Sequence, residues 1–451
     1  MQHEINAALL FVNSDRGFSF DELVLRLQEV LQQKGYRAIL ELIITLVQDK
    51  LFSKLLIENG LPHLNCPCGF GEFYRHGSRK RTIRCSLGEV VIQRQRIRCV
   101  NCKRTHYLLD GFMDFGRYQT KSNELERIVV EAACGTSYRR AVKDLGRDHV
   151  VSIPHTTAHD WVMKTDCSEI ELSNRVIGSQ PLQVLADGTK FKGEGVNNEA
   201  RKGDLKVVIG INTASQVFPL GTYAGNSWED INKEWEKHQI KLPDGSIFIS
   251  DGEPGLADAL ANYAEEQQRC HWHIDRDLYH AYRRDGALNA VSKPIREALR
   301  GVLAIELPNQ DFELVPESEK DKIEDRMEKA EQAIGQLIQH LEEKGYTAAA
   351  TYLGNAKRGM FGYIRRWLKW GIISPRASSM VERVMREIGR RLKKISYGWS
   401  DRGAEKMAKI ILKKFTQAKE WEQYWLEKLK IDNKVQIYWR WVEHIQPHFG
   451  H

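Results

Sequence analysis

Two aspartates of the chain stand where apolar runs end. Asp187 closes the run PLQVLAD, and Asp251 closes the run SIFISD just before Gly252. Strand interiors disfavour aspartate and a buried carboxylate needs a partner, so a bound cation is the natural explanation for both residues. Plain structural explanations also exist, because Asp187-Gly188 suits a type I′ hairpin turn and Asp251 suits a position ahead of a helix cap.

A third candidate carboxylate, Glu382, lies in the segment SSMVERVMREIGRRLKKIS. The apolar residues of this segment recur at helical spacing, and Glu382 stands at the edge of their stripe. Three such acids supply the ligands that two Mg²⁺ ions need for phosphodiester chemistry. A simple i,i+4 ion pair with Arg386 is the alternative for Glu382. Rival acids are Glu387 for the third position and Asp258, Asp275 and Asp277 for the second.

Four cysteines have the spacing of metal ligands, and they are Cys66, Cys68, Cys99 and Cys102. Two close pairs of thiolates on two tight turns can surround one Zn²⁺ ion tetrahedrally, so we predict a structural zinc site. The first pair has only one intervening residue, which leaves His63, His76 and His106 as alternative ligands. Buried thiols without a metal are the other interpretation.

Cys270 and His273 form a further pair, in the sequence Cys-His-Trp-His. We predict that this sequence lies on the strand after Asp251. Positions i and i+3 of a strand face opposite sides, so a shared metal would require the chain to turn at Trp272. A second zinc site, a role in the active site and simple packing remain open, and a structural or DNA-proximal role is favoured. A thiol nucleophile is disfavoured because no third orienting group or oxyanion loop is evident.

The elements that must position these residues change in character along the chain. Helical periodicity covers residues 1–60, and short alternating strands follow up to about residue 112. Residues 113–178 read as three short helices with tight turns, which indicates a helix-turn-helix. Strands then alternate with a helix up to Asp251, and helices dominate after Asp275. The chain is therefore predicted to be a multidomain α/β protein.

Basic residues concentrate in three places. Eight of them lie between Cys66 and Cys102, against two acids, and others lie in the predicted helix-turn-helix and in the helix of Glu382. Neutralising phosphates with such charges drives DNA binding through counterion release, although a solvated charged face is the alternative. The residues predicted to contact DNA are Arg79, Lys80, Arg81, Arg94, Arg96, Arg98, Arg139, Arg140, Arg386, Arg390 and Lys393. His155, Thr156, Thr157 and His159 open the candidate recognition helix.

Composition excludes several classes of protein. A chain of 451 residues is long enough for two to four domains, and 42% hydrophobic with 9% aromatic residues is typical of a folded protein. No apolar run approaches the roughly 20 residues needed to cross a bilayer, and the first residues lack the pattern of a secretory signal. We therefore expect a cytoplasmic protein with its eight cysteines reduced.

The chain resembles the DDE transposases of the Mutator-like group, which includes bacterial insertion-sequence enzymes. The resemblance lies in the order of its motifs, which are Asp187, Asp251, the Cys270–His273 pair and Glu382. The resemblance covers about residues 61–400, and Ser379 stands where some relatives carry asparagine. It implies an RNase H-like mixed-sheet core with a long all-α insertion. Together with two helical regions outside the resemblance, it predicts the following domains: a helical region 1–60, a zinc ribbon 61–112, a helix-turn-helix 113–178, a catalytic domain 179–415 with a helical insertion at about 285–370, and a helical tail 416–451.

The resemblance also implies a function. Asp187, Asp251 and Glu382 would hold two Mg²⁺ or Mn²⁺ ions, and the enzyme would cleave DNA at the ends of an element and join it to a target. Its partners would be double-stranded terminal repeats, target DNA and further copies of the chain. Trp399 and the tryptophans beyond residue 420 would stack on flipped bases, unless they are core residues. The alternatives are a catalytically silent DNA-binding relative and an RNase H-like nuclease or resolvase.

Overall fold

The computed structural model describes residues 29–58, 66–113, 115–149, 151–168, 178–195, 201–395 and 398–431. The chain divides into two compact units. The first comprises Met1–Ala133 with Tyr138–Trp161, and the second comprises Cys134–Ser137 with Val162–His451. Among the described helices, none is both long enough and apolar enough to span a membrane. Residues 1–28 of the predicted helical N-terminal region lie outside the described part.

The first unit is built on a small antiparallel sheet and a long helix. Helix α1 (Tyr36–Glu58) follows a π-helical turn and packs against the sheet of β1 (Phe73–Cys85), β2 (Gly88–Cys99) and β3 (Thr105–Tyr107), whose order is β1-β2-β3. The buried Gln48 of α1 ties the helix to β2, because its amide donates to the carbonyl of Gln93 at 2.9 Å and accepts from the N–H of Gln95 at 2.6 Å. A short helix α2 (Leu108–Phe112) follows β3.

Three helices follow in the chain, as the periodicity predicts. They are α3 (Asn123–Gly135), α4 (Tyr138–His149) and α5 (His155–Lys164). The buried residues of α3 are spaced by three or four, which gives the helix one apolar face. Ala141 and Leu145 are buried on α4, and Ala158 is buried on α5.

The second unit contains a five-stranded mixed sheet. Its strands are β4 (Gln183–Gly193), β5 (Arg201–Ile211), β6 (Val217–Ala224), β7 (Ile247–Ser250) and β8 (Glu266–Arg269), in the order β6-β5-β4-β7-β8. The first three strands are antiparallel neighbours, whereas β7 runs parallel to both β4 and β8. Helices α6 (Trp228–Lys237) and α7 (Leu256–Leu260) lie between strands in the chain. The protein is therefore a mixed α/β protein with two sheets.

Helices dominate after β8. They are α8 (His271–Arg284), α9 (Asn289–Leu303), α10 (Glu317–Glu343), α11 (Thr347–Lys357), α12 (Gly362–Trp370), α13 (Ser379–Gly389), α14 (Asp401–Thr416) and α15 (Ala418–Leu429). Buried residues of α8 to α12 form one hydrophobic core of their own, which includes Leu278, Leu353 and Trp367. No strand occurs among the described residues between α8 and α13, as the sequence predicts.

The two faces of the large sheet carry different elements. Val184 and Ala186 of β4 pack with Phe248 and with residues of α6 and α7 in one core. Successive side chains of a strand point to opposite faces, so Leu185 and Asp187 face the other side. Helix α13 packs against β4 without contributing to the α6 and α7 core. The face that bears Asp187 is therefore the face that α13 covers.

Candidate functional site

The four predicted cysteine ligands lie together. The Sγ atom of Cys66 lies 3.4 Å from the Sγ of Cys102 and 3.4 Å from the Sγ of Cys68. The Sγ of Cys68 lies 3.6 Å from the Sγ of Cys99. All four sulfur atoms lie within 4.8 Å of one another. A tetrahedral ion with metal–sulfur bonds of about 2.3 Å would hold its ligands about 3.8 Å apart, so the cluster fits one metal ion.

The alternative histidine ligands are not part of this cluster in the described residues. His76 and His106 lie outside the group of four sulfurs, and His63 lies outside the described residues. The ring of His106 packs edge-on against Phe73, and burial lowers the pKa of His106. A hydrogen bond from the backbone of Phe70 is the main cause that lowers the pKa of Cys68 to about 6, which favours the thiolate that a metal needs.

Two of the residues predicted to contact DNA are bound within the first unit. Arg94 is buried, and its guanidinium donates to the carboxylate of Asp110 at 2.7 and 3.0 Å. Arg81 donates to the carbonyl of Gly116 at 2.6 Å and to that of Gln119 at 2.8 Å. Both guanidinium groups therefore stabilise the fold of the first unit, which counts against the DNA contacts predicted for them.

The other basic residues of the first unit reach its surface to different degrees. Arg79 and Lys80 are exposed on β1, whereas Arg96 and Arg98 of β2 are half-buried. Arg98 donates to the carbonyl of Lys103 at 2.6 Å. Arg139 and Arg140 are exposed on α4, where Arg140 also pairs with Asp144 at 2.7 Å, and the exposed residues of α5 include His155, Thr156 and His159.

Asp187 does not end its strand. Strand β4 continues to Gly193 and pairs with β5 along its whole length, with Asp187 opposite Val207. The hairpin-turn explanation for Asp187-Gly188 is therefore wrong. The second half of the strand is hard to predict from the sequence because it is polar. Lys190 and Lys192 alternate there with Phe191 on a half-exposed part of the sheet.

Asp251 follows the last residue of β7, as predicted. It also lies ahead of Gly255, the N-cap residue of α7, so the structure leaves the alternative of a position ahead of a helix cap open. Pairing between the parallel strands β4 and β7 places Leu185 opposite Ile249. Asp187 and Asp251 each lie two residues further along, so they are neighbours that face the same side of the sheet, with the strands about 4.8 Å apart.

The electrostatics of this pair suit a cation. Burial, and next the charge of Asp251, raise the pKa of Asp187 to about 6, against a smaller opposing effect of His273. The carboxylate of Glu253 lies close by, since a Cβ on Gly188 would be 2.8 Å from its Oε2. Carboxylates held together in a partly buried place favour either protonation or a bound cation.

The loop after β7 is held in one conformation. The Oδ1 of Asp251 accepts a hydrogen bond from the N–H of Glu253 at 2.9 Å. Gly252 has a φ of +89°, and a Cβ placed on it would lie 1.4 Å from a guanidinium nitrogen of Arg269. Position 252 therefore requires glycine, both for its backbone angle and for the space that Arg269 occupies. Sequence reasoning missed Arg269, and the Asp-Gly pair alone gave no signal of it.

Glu382 lies in the first turn of α13, on the helix that covers the face of Asp187. Its Oε1 accepts a hydrogen bond from the hydroxyl of Ser378 at 3.0 Å and lies 3.9 Å from the Nδ1 of His273. Among the ion pairs of the described residues, its partner is His273 and not Arg386. The i,i+4 ion-pair explanation is therefore wrong.

The Cys270–His273 pair is not on a strand. Strand β8 ends at Arg269, Cys270 precedes α8, and His273 lies in the first turn of that helix. The backbone explains the change, because the N–H of Cys270 still bonds to Ser250 of the sheet at 2.9 Å whereas the N–H of Ile274 already bonds to Cys270 at 3.0 Å. The ligand atoms of Cys270, His273 and Glu382 all lie within 4.8 Å of one another, and Asp187 and Asp251 are outside this group.

The rival acids have other partners. Glu387 pairs with Arg390 at 3.0 Å, and Asp277 pairs with Arg276 at 2.7 Å. Asp275 binds two arginines of α9, and Asp258 lies exposed on α7.

Burial contradicts the predicted base-stacking role for three tryptophans, whereas Trp439 and Trp441 lie outside the described residues. Trp399, Trp421 and Trp425 are 7%, 3% and 0% exposed, so they are core residues. The exposed aromatic residue near the acids is instead Trp272, at 58%, which sequence reasoning named only as a turn position.

These features define a mixed α/β protein with a cysteine cluster that can bind a metal and a carboxylate site on its larger sheet. Residues 13–185 match an uncharacterised protein family, UPF0236. The match includes the cysteine cluster and the three helices α3 to α5, and it ends two residues before Asp187. No curated protein matches the chain.

Proposed function

We propose that the protein is a DDE transposase of the Mutator-like kind, whose second unit is an RNase H-like catalytic domain. The observation that carries this proposal is the parallel register of β4 and β7, which makes Asp187 and Asp251 neighbours on the face that α13 covers. Glu382 enters from that helix. Acids on two adjacent central strands and one helix match the order of the acids that the resemblance implies.

The residues present fit a divalent cation of the Mg²⁺ type. Asp187 and Asp251 offer oxygen ligands, and a cation bound there would offset both effects that raise the pKa of Asp187, which are first burial and then the charge of Asp251. When bound, Mg²⁺ or Mn²⁺ would activate a hydroxyl nucleophile and stabilise the leaving 3′ oxygen. The chain itself orients the ligands, because the N–H of Glu253 fixes Asp251 and the hydroxyl of Ser378 fixes Glu382.

A basic stripe on α13 and the turn after it supports DNA binding beside these acids. Arg383, Arg386, Arg390 and Lys393 are all exposed and follow one another at intervals of three or four residues, so they share one side of the helix. We propose that this stripe, which begins one residue after Glu382, holds the phosphate backbone of the strand that is cut. The exposed basic residues of the first unit, such as Arg79 and Lys80, would bind the ends of the element, and the ion of the cysteine cluster would be Zn²⁺.

Cleavage and joining of a short duplex that carries the flanking terminal repeat test this proposal. With Mg²⁺ or Mn²⁺, we expect joined product from the wild type and a loss of at least about a hundredfold in Asp251→Asn, because a ligand is lost. Asp258→Asn is the matched control, since Asp258 is an exposed acid of α7, and it should retain joining. Cutting without joining would instead indicate a nuclease, and binding without product would indicate a DNA-binding relative.

A further inference from the structure

Cys270, His273 and Glu382 converge on one point of the second unit. The first turn of α8 brings the thiol and the imidazole to the same side, and α13 supplies the carboxylate. One sulfur, one nitrogen and one oxygen atom thus lie within 4.8 Å of one another. Local sequence brings Cys270 and His273 together at the start of α8, whereas the tertiary fold adds Glu382 from α13.

The Nδ1 atom of His273 is buried close to the carboxylate of Glu382. His273 is 6% exposed, and its Nδ1 atom is buried without a hydrogen-bond partner. Buried polar atoms are almost always satisfied in folded proteins, and this Nδ1 lies 3.9 Å from the Oε1 of Glu382, so it is placed to bind a cation together with the carboxylate and the thiol. Cys270 is 0% exposed, so its sulfur is shielded from solvent.

A second layer of hydrogen bonds orients the three groups. The backbone N–H of Ser378 donates to the Sγ of Cys270 at 3.4 Å, and the hydroxyl of the same residue donates to the Oε1 of Glu382 at 3.0 Å. A single residue at the start of α13 thus positions two of the three groups. Such outer hydrogen bonds are a regular feature of metal sites, where they fix the direction of the ligand atoms.

We propose that Cys270, His273 and Glu382 bind a borderline-soft divalent cation of the Zn²⁺ class. Thiolate and imidazole ligands favour Zn²⁺ and disfavour Mg²⁺, which prefers oxygen. Three protein ligands leave a fourth position of a tetrahedral ion for water or a phosphate oxygen. The site is distinct from the proposed Mg²⁺ ligands Asp187 and Asp251, although the two oxygens of Glu382 allow it to serve both. The site does not depend on the proposed transposase activity.

Elemental analysis of the purified full chain tests this site. The protein is first dialysed against a weak chelator, and its metal content is then measured. We expect about two equivalents of Zn²⁺ in the wild type, one in the cysteine cluster and one here. Cys270→Ser and His273→Ala should each retain about one equivalent. Cys167→Ser is the matched control, because Cys167 is also a buried thiol of the second unit outside both metal groups, and it should retain both ions.

Titration of the wild type with Co²⁺ avoids the risk that a variant fails to fold. The second equivalent should add visible bands with much weaker sulfur-to-cobalt absorption than the first, because it adds one thiolate instead of four. Saturation at one equivalent, or an unchanged metal content in Cys270→Ser, would overturn the proposal. Asp187→Asn should abolish strand joining and keep both Zn²⁺ equivalents, so the two proposals fail independently.

Discussion

Asp187 bears the clearest electrostatic effect among the proposed catalytic residues. Its ordinary pKa lies near 4, and in the folded protein the pKa is about 6. The folded state therefore binds this proton more tightly than the unfolded state does. As the pH rises from about 4 to 6, the unfolding free energy falls, and above 6 the ionised carboxylate destabilises the metal-free protein.

Asp187→Asn should therefore stabilise the metal-free protein at pH 7. We expect the free energy of unfolding to rise by about 1–3 kcal/mol, with little gain at about pH 3, where most of the wild-type carboxyl is protonated in both states. Urea denaturation at the two pH values measures this. Adding Mg²⁺ should stabilise the wild type and leave the variant unchanged. Equal stability of the two proteins at pH 7 would contradict the account.

At the same scale, the sequence predicted some site residues and missed others for a physical reason. The four cysteines and Asp251 were predicted because short spacing or the end of an apolar run places them. The grouping of Cys270, His273 and Glu382 could not be predicted, because it depends on the residues at which β8 ends and α8 begins. A helix that begins one residue after Cys270 brings positions i and i+3 together, whereas a strand would separate them.

At the scale of elements, the turn after β7 connects Asp251 to the helical body. The guanidinium of Arg269 covers Gly252, and the backbone N–H of Arg269 donates to the carbonyl of Gly359 at 2.7 Å. Arg269 thus joins the loop of Asp251 to the segment between α11 and α12. We infer that the helices after β8 help to fix the position of this acid.

Replacement of Gly252 tests this connection. Gly252→Ala must displace Arg269 and also strain the backbone, at a cost of about 1–3 kcal/mol, and we expect DNA joining to fall at least about tenfold. Gly255→Ala is the matched control, because Gly255 has a φ of +78° with no atom within 4 Å of an added Cβ. Activities of the two variants at equal folded fraction, judged by circular dichroism, give the comparison. Equal losses would mean that Arg269 has no part in positioning Asp251.

The basic stripe of α13 gives a second prediction at this scale. Arg386→Ala should weaken binding to duplex DNA to a similar extent for all sequences, and the slope of log affinity against log salt should fall by about one phosphate contact. Arg326→Ala on α10 removes the same exposed side chain elsewhere in the second unit and should leave the slope unchanged. Fluorescence anisotropy at several salt concentrations distinguishes the two. If Arg386→Ala kept the wild-type slope of log affinity against log salt, the stripe would not be part of the DNA interface.

At the scale of the whole molecule, alternation and periodicity predicted the order of helical and strand regions. The boundary of β4 was missed because its second half is polar and half-exposed. The order of the strands could not be predicted from the sequence either, because the pairing of β4 with β7 joins residues that are far apart in the chain. The intramolecular hydrogen bonds of Arg81 and Arg94 could not be predicted either, because the sequence does not distinguish a basic residue that faces solvent from one that binds groups of its own fold.

Metal binding by the cysteine cluster should affect the first unit as a whole. Cys99→Ser with Cys102→Ser should lower the Zn²⁺ content by about one equivalent, weaken binding to terminal DNA and destabilise the sheet of β1 to β3. Metal analysis and anisotropy measure both effects. Cys85→Ser, which alters a half-buried thiol at the end of β1, is the control. An unchanged metal content in the double variant would show that this cluster does not bind the metal.

The most direct test of the central claim is metal rescue of DNA joining in Asp251→Cys. A thiolate at position 251 binds Mg²⁺ poorly and accepts the softer Mn²⁺ better. If Asp251 holds the catalytic ion, the variant should form joined product with Mn²⁺ and almost none with Mg²⁺, while the wild type uses both. Equal joining by the variant in the two metals, or no joining by the wild type in either, would contradict the assignment of Asp187 and Asp251 as the catalytic metal site.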